Sequence, residues 1–581
     1  MDFEHSRGSH FQHWPPLVPR HLTLPQTNLF YNAEVSAARY PDKPFIVFYD
    51  TAVSFAEFKD EAERMAGFLQ HECGVKAGDR VLLYMQNSPQ WVLAFYGILR
   101  ANAVVVPVNP MNRTDELRHY VEDGRATTAF VAQDLLPQMQ PLLRPEGGEG
   151  LQHLVVATYS DYLKRPTDLR LPDFVAAARE VPRSPGVVPW SEALALGLQP
   201  GPLTAGPDDP CVMPYTSGTT GAPKGCVHTH RSVMSTLVAG TTWFSRNQDA
   251  VFLSALPFFH VTGMSGSMNG PMYAGATIVV LPRWDREAAA VCIQRYGVTT
   301  WQTITAMLVD FLAQPTLSAY DLSSLQIIRG GGAAMPEAVA RRLQDLVGLA
   351  YVEGYGMSET MAATHINPPQ RPKPQCLGVP VFDVDARIID PTTLRELPPG
   401  ESGEIVVHGP QVMQGYWNNP EATASAFIEI DGKRFLRTGD LAFVDEDGYF
   451  FMTDRLKRMI NASGYKVWPA EVEALMYRHP AIQEACVIAA ADARRGETVK
   501  ALVVLKPGHE VTEQQIIDWA HEHMAAYKSP RIVQIVPSLP RSGSGKVMWR
   551  ELQERENEGP KAADAKDDRG SLRPQRIGDS E

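Results

Sequence analysis

The chain has 581 residues, 44% hydrophobic and 21% charged, with a formal net charge of -12. That length exceeds what a single hydrophobic core supports, so several domain-sized units are expected. The acidic balance excludes a broadly basic nucleic-acid or membrane-docking surface. Six cysteines without a Cys-x-x-Cys pair exclude a zinc-ribbon or disulfide framework and fit a reducing, cytoplasmic compartment.

Residues 1–28 form an N-terminal extension that lacks the apolar run of a signal peptide. No stretch reaches the ~18 apolar residues of a membrane span. Residues 81–99 come closest, and Gln86-Asn87-Ser88-Pro89-Gln90 interrupts them. From residue 29 onward, β-branched runs such as 103–108 and 276–281 read as buried strands, and 286–296 and 336–347 read as helices. Strands alternating with helices predict an α/β fold, a large N-terminal domain of parallel sheets with helices on their faces.

After Val381 the pattern changes to short strands at 386–390, 403–407 and 448–451 between Pro/Gly turns, the signature of a small β-barrel-like subdomain. A charged segment, Asp454-Arg455-Leu456-Lys457-Arg458, marks a second shift in composition. Beyond it a helix over 469–477, strands around 485–490 and 499–505, a helix over 512–523 and a strand over 532–537 predict a small, mobile α+β domain. The expected boundaries are therefore 1–28, a large domain over 29–454, a hinge at 455–457, a small domain over 458–552, and a disordered polar tail over 553–581.

The most informative segment is Tyr215-Thr216-Ser217-Gly218-Thr219-Thr220-Gly221-Ala222-Pro223-Lys224-Gly225. Glycines let backbone N–H groups approach phosphate oxygens, hydroxyls donate further hydrogen bonds, and Lys224 supplies charge. Pro223 before the lysine and Gly225 after it exclude a Walker A loop, and with it a P-loop kinase or ATPase.

Five further segments carry candidate chemistry. Leu256-Pro257-Phe258-Phe259-His260-Val261-Thr262-Gly263-Met264 ends an aromatic strand on a histidine, and Ile327-Ile328-Arg329-Gly330-Gly331-Gly332-Ala333-Ala334 runs a strand into bare backbone that a flat ring could stack on. Glu353-Gly354-Tyr355-Gly356-Met357-Ser358-Glu359-Thr360 joins an aromatic face to Glu359, a hard oxygen ligand. Arg437-Thr438-Gly439-Asp440-Leu441 sets a carboxylate behind a glycine turn, and Pro540-Arg541-Ser542-Gly543-Ser544-Gly545-Lys546 presents a late lysine. Singly, these read as a core histidine, a sheet-edge loop, a solvated glutamate, a common turn and a flexible loop.

In this order and at these separations, the segments resemble the adenylate-forming acyl-CoA synthetases over about residues 29–552. Ser217 stands where threonine is frequent. The resemblance implies an AMP-forming acid–thiol ligase that closes two domains over ATP, Mg²⁺ and a carboxylic acid, then transfers the acyl group to coenzyme A. It implies that Thr216, Ser217, Gly218, Thr219, Thr220, Gly221 and Lys224 cradle phosphates, with Thr216 and Glu359 holding Mg²⁺. Gly331, Gly332, Ala333 and the Glu353, Gly354, Tyr355, Gly356, Met357, Ser358 turn would border the nucleotide, while Asp440 and Arg455 hold its ribose. Lys546 would reach the reacting carboxylate, Lys457 would act as hinge, and Ser463, Gly464, Tyr465 and Lys466 would line the channel for the pantetheine arm.

The acid would lie beside His260, Met264, Trp301, Thr305, Gly330 and Met361. These are mostly apolar or small, and no Arg, Lys or Asp stands out to fix a second polar group. A medium- or long-chain fatty acid is expected, with an aryl acid as the alternative. Free coenzyme A is favoured over a carrier protein because no carrier domain follows residue 552. Lys546 and Glu359 count against a non-catalytic acyl-nucleotide-binding protein. Expected partners are small molecules, with no nucleic acid and no transmembrane segment, and the resemblance leaves room for a homodimer.

Overall fold

The computed structural model describes residues 8–144, 150–181, 183–216, 223–332, 335–455, 458, 460–462, 465–467, 469–492, 496–541 and 547–558. The chain divides into two units, one running through residue 456 and the other starting at residue 457.

The first unit is built on two large sheets. In one, the strands Pro44–Phe48, Thr277–Val280, Val251–Ser254, Thr300–Thr303, Ile327–Gly331 and Tyr351–Met357 lie parallel and side by side. Antiparallel strands close both edges. Paired residues Val47, Val279, Leu253, Trp301, Ile328 and Tyr351 form one row across this sheet, all buried. Side chains alternate between faces along a strand, so the next row turns Gln302, Arg329 and Val352 to the opposite face.

The second sheet centres on the parallel strands Val104–Pro107, Arg80–Tyr84, Thr128–Ala132 and His153–Ala157. The apolar run at 81–99 resolves into the strand Arg80–Tyr84 and the helix Pro89–Arg100. Ser88 caps that helix by accepting from the Trp91 N–H at 3.1 Å, and Pro89 sits at its first position, where no amide is needed. Among the described residues no helix is long and apolar enough to cross a membrane.

A third, five-stranded sheet holds Asp385–Ile389, Gly403–His408, Phe427–Ile430, Lys433–Val444 and Phe450–Arg455, all antiparallel, as the alternation after Val381 predicts. The N-terminal extension packs onto this unit, with Trp14 edge-on to Trp243 and Phe382.

The second unit has its own core. The long antiparallel strands Ile482–Asp492 and Gly496–Leu505 carry Val487, Ala501 and Val503 against Val472 and Ile516 of the helices Pro469–Met476 and Glu513–His523. Thr512 and Gln515 form a reciprocal cap at the start of the latter helix. One boundary is corrected here. The expected tail from residue 553 begins instead as helix, because Trp549–Glu558 docks on the sheet. The Gln553 amide exchanges two 2.8 Å hydrogen bonds with the Ala489 backbone, and Lys500 pairs with Glu556 at 2.6 Å. Composition alone hid this, since a charged helix needs few apolar side chains when its anchors are polar. The remainder of the expected tail lies outside the described residues.

Asn87 ties the two large sheets together. Its buried amide donates to Leu256 O at 2.8 Å and Leu281 O at 3.4 Å and accepts from the Phe258 N–H at 2.7 Å. Asn87→Ala strands those peptide groups without water and is expected to cost about 2–4 kcal/mol. A drop in the denaturant midpoint at unchanged m-value is the readout, and an unshifted midpoint refutes the role.

Candidate active site

The parallel strands of the first sheet end together at a cavity of about 150 Å³. Leu256 and Pro257 follow one strand, Ile304 another, and Gly330–Gly332 and Gly354–Gly356 finish two more, all lining the cavity. Ligands of α/β sheets collect at such carboxyl ends. Two strand ends come together here without side chains: a Cβ on Gly331 would lie 2.1 Å from Gly354 O, and one on Gly330 would lie 1.8 Å from Thr303 O. The result is a slot walled by backbone.

The hydroxyl-rich segment leaves the strand Tyr215–Thr216 and returns as Lys224–Thr229, with Thr216 directly paired to Lys224. Ser217, Gly218, Thr219, Thr220 and Gly221 lie outside the described residues. Tyr416 gathers what flanks them: the Lys224 ammonium sits 5.0 Å over its ring, and its hydroxyl donates to Glu359 Oε1 at 2.9 Å. Glu359 is buried on the turn Ser358–Thr360, which His228 holds through a 2.7 Å contact between Nε2 and Ser358 O. Burial lowers the His228 pKa to about 4, so the ring is neutral and Nε2 is the donor. The Met357 N–H closes the same turn on Thr360 Oγ1 at 3.0 Å. Thr216, Lys224 and Glu359 thus stand around one phenol, which sequence reading missed because Tyr416 sits in no motif.

On the other side of the slot the Tyr355 hydroxyl donates to Asp440 Oδ2 at 2.7 Å. Asp440 follows a left-handed Gly439, whose N–H donates to Glu404 at 3.1 Å. Glu404 is buried and takes a two-nitrogen grip from Arg437 at 2.6 and 3.0 Å, so the Thr-Gly-Asp turn is fixed from behind. Arg455 stands opposite Asp440 in the antiparallel register. Glu353, expected at the nucleotide, turns into the wall, where it accepts from the Met335 and Gln375 N–H groups at 3.3 Å.

At the acyl end, His260 and Gly330 line the cavity. Four expected wall residues are not among those lining it. Trp301 falls in the buried row beside Ile328 and stacks on Trp284 at 5.7 Å, the face opposite Gln302. Met264 and Met361 are wholly buried in the main core, while their neighbours Ser265, Gly266 and Ala362 reach the cavity. Thr305 opens the helix Thr305–Leu312, one residue beyond the lining Ile304. Arg246 and Arg329 line the cavity in their stead, contrary to the expectation that no arginine stands there. Period-two alternation along Ile327–Gly331 was the signal that could have found Arg329. Ala333, Lys457, Ser463, Gly464 and Lys546 lie outside the described residues, and Tyr465 and Lys466 are described as strand backbone.

Residues 33–417 match the AMP-binding enzyme family, and residues 471–546 match the C-terminal domain of AMP-binding enzymes. The chain belongs to the AMP-binding enzyme family. It is 34% identical to a long-chain-fatty-acid–CoA ligase of Bacillus subtilis (strain 168), over 94% of this chain and 97% of that one. It is also 32% identical to 4-coumarate–CoA ligase 2 of Oryza sativa subsp. japonica, over 92% and 93% of the two chains. The crystal structure of the anthranilate CoA ligase AuaEII in complex with anthranoyl-AMP matches with a TM-score of 0.80 at 27% identity, covering 91% of this chain and 97% of that one. Within the family this chain is an adenylate-forming acyl-CoA ligase, and ATP and coenzyme A are its co-substrates.

The buried Glu353 makes the wall sensitive to pH. Burial raises its pKa from 4.5 to about 7, against the pull of its two N–H donors. The folded state therefore keeps a proton that the unfolded chain releases, and stability falls as pH rises from 4.5 to about 7. Across that window the protein is expected to lose up to about 3 kcal/mol, and Glu353→Gln to flatten the loss. Chemical denaturation at pH 5 and pH 8 checks this; parallel profiles for the two proteins refute it.

Proposed function

We propose that this ligase activates a carboxylic acid with an apolar body, a fatty acid of medium chain length, and passes it to free coenzyme A. The observation that carries this reading is the cavity of about 150 Å³ with apolar Leu256, Phe252 and Val352 in its walls, opening beside Gly354-Tyr355-Gly356. The identity to a fatty-acid ligase supports it. A second reading, an aryl acid, rests on the same volume, about that of an engineered cavity that takes one benzene ring, and on the likeness to aryl-acid ligases.

In the first half-reaction a carboxylate oxygen attacks the α-phosphorus of ATP, and the bond to pyrophosphate breaks. Both partners are anionic, so cations must offset charge along the line of attack. Lys224 serves the β- and γ-phosphates and Lys546 the carboxylate and α-phosphate. Gly331, Gly332 and Tyr355 border adenine, and Asp440 and Arg455 take the ribose hydroxyls. Glu359 and Thr216 suit a hard cation, since a buried carboxylate oxygen and a hydroxyl share one wall. Mg²⁺ held there would neutralise polyphosphate charge. His260 closes the carboxyl end of the acid and needs no basic role, because the acid is already ionised at neutral pH.

In the second half-reaction the coenzyme A thiol attacks the acyl carbonyl and AMP leaves. A turn of the small domain about Lys457 would exchange Lys546 for the channel of Ser463, Gly464, Tyr465 and Lys466.

A panel of acids scored by AMP release with and without coenzyme A tests the reading. Turnover of medium-chain acids that depends on coenzyme A is expected, and release of ADP instead of AMP refutes it. Lys546→Ala should slow pyrophosphate exchange by about 10²–10³-fold, the usual loss for one preorganised donor. A near-normal exchange rate removes Lys546 from the mechanism.

A further inference from the structure

We propose that the acid carries a second carboxylate at its far end, an α,ω-dicarboxylic acid, and that Arg329 binds that distal group. The inference rests on the ligase reading and narrows its substrate.

Arg329 lies on the cavity face of the strand Ile327–Gly331, in register with Gln302 and Val352, which also line the cavity. It precedes the glycine slot, so it sits deeper in the sheet than Gly330–Gly332, on the floor and away from the strand ends where a nucleotide collects. Its guanidinium stacks over the Phe244 ring at 4.4 Å, and Nη2 reaches Gly266 O at a long 3.3 Å. Nε is sealed from solvent and has no hydrogen-bond partner. Among the described residues no carboxylate pairs with this side chain, and the charged neighbour that acts on it is Arg246, of like sign. Burial and that neighbour lower its pKa to about 10, which leaves it charged at neutral pH.

Arg246 also lines the cavity and is turned outward, to Phe244 O and Gln326. Two guanidinium groups thus give the floor a positive potential with no counter-ion from the surrounding wall.

A buried cation without a partner is unfavourable, and a plain alkyl chain would leave it so. An apolar side chain at 329 would serve a plain fatty acid better. A carboxylate, by contrast, matches the planar fork of an arginine through two parallel hydrogen bonds. The wall also makes room for this polar floor. A Cβ on Gly266 would lie 1.9 Å from Gln302 Oε1, so the glycine lets Gln302 stand beside Arg329. Gly240, 3.9 Å from Arg329 Nη1 when given a Cβ, leaves the head of the guanidinium uncovered.

The test compares α,ω-dicarboxylic acids with monocarboxylic acids of equal carbon number, scored by coenzyme A-dependent AMP release, in the wild-type chain, Arg329→Met and Arg329→Lys. The wild type is expected to favour the dicarboxylic acid by at least about 10²-fold in kcat/KM, as a site does when a missing group leaves its own buried polar atoms unpaired. Arg329→Met should invert the preference and raise the Tm of the free protein, because it removes an unpaired buried charge. Arg329→Lys should retain a reduced preference. A wild-type preference for monocarboxylic acids, or one that Arg329→Met leaves unchanged, overturns the proposal while sparing the ligase reading. If no acid releases AMP, the ligase reading falls, and Tm shifts with the same acid pairs decide the role of Arg329. A larger shift with the dicarboxylic acid in the wild type alone supports it, and equal shifts overturn it.

Discussion

Two neighbouring strands that finish without side chains set the terms for the rest of this molecule. Where Ile327–Gly331 and Tyr351–Met357 end, Gly331 and Gly354 approach so closely that even a methyl group would collide with backbone. That contact holds open a flat slot and fixes the depth at which each flanking residue meets the cavity. Tyr355 reaches across to Asp440, and Glu359 is carried three residues further on, to Tyr416 and Lys224. The site is therefore assembled from consecutive positions on one strand and its turn, with the third sheet and the Tyr215–Lys224 hairpin brought to it.

The supports behind these residues are polar and enclosed. Glu404 clamps the Thr-Gly-Asp turn through Arg437 and the Gly439 amide, and Asn87 stitches the two large sheets beneath the cavity. Each such group is satisfied by several partners, which is what a buried polar atom requires. Arg329 is the exception, and an unsatisfied cation within an otherwise well-paired wall is informative for that reason.

Much of the fold was legible because period and composition carry it. Alternating β-branched runs and amphipathic stretches identified the parallel sheets, and the change after Val381 identified the antiparallel third sheet. The motifs were legible as chemistry but not as geometry. Trp301 and Arg329 show why: both sit on strands of the same sheet, one register step apart, and that step sends the tryptophan into the core and the arginine into the cavity. A list of apolar neighbours cannot resolve a one-residue shift of face. Tyr416 and His228 were invisible because their partners, Glu359 and Ser358, are distant in sequence. The helix Trp549–Glu558 was hidden for a different reason, since it docks by an amide and an ion pair where an apolar stripe was sought.

His228 has a physiological implication. Its imidazole is wholly enclosed, and protonation there would place a cation where no water can solvate it, so the ring stays uncharged down to about pH 4. The turn that bears Glu359 is consequently latched by a donor indifferent to the acidity swings a living cell undergoes. Ordinary acid stress would reach this protein through its wall carboxyl, Glu353, and leave the latch shut.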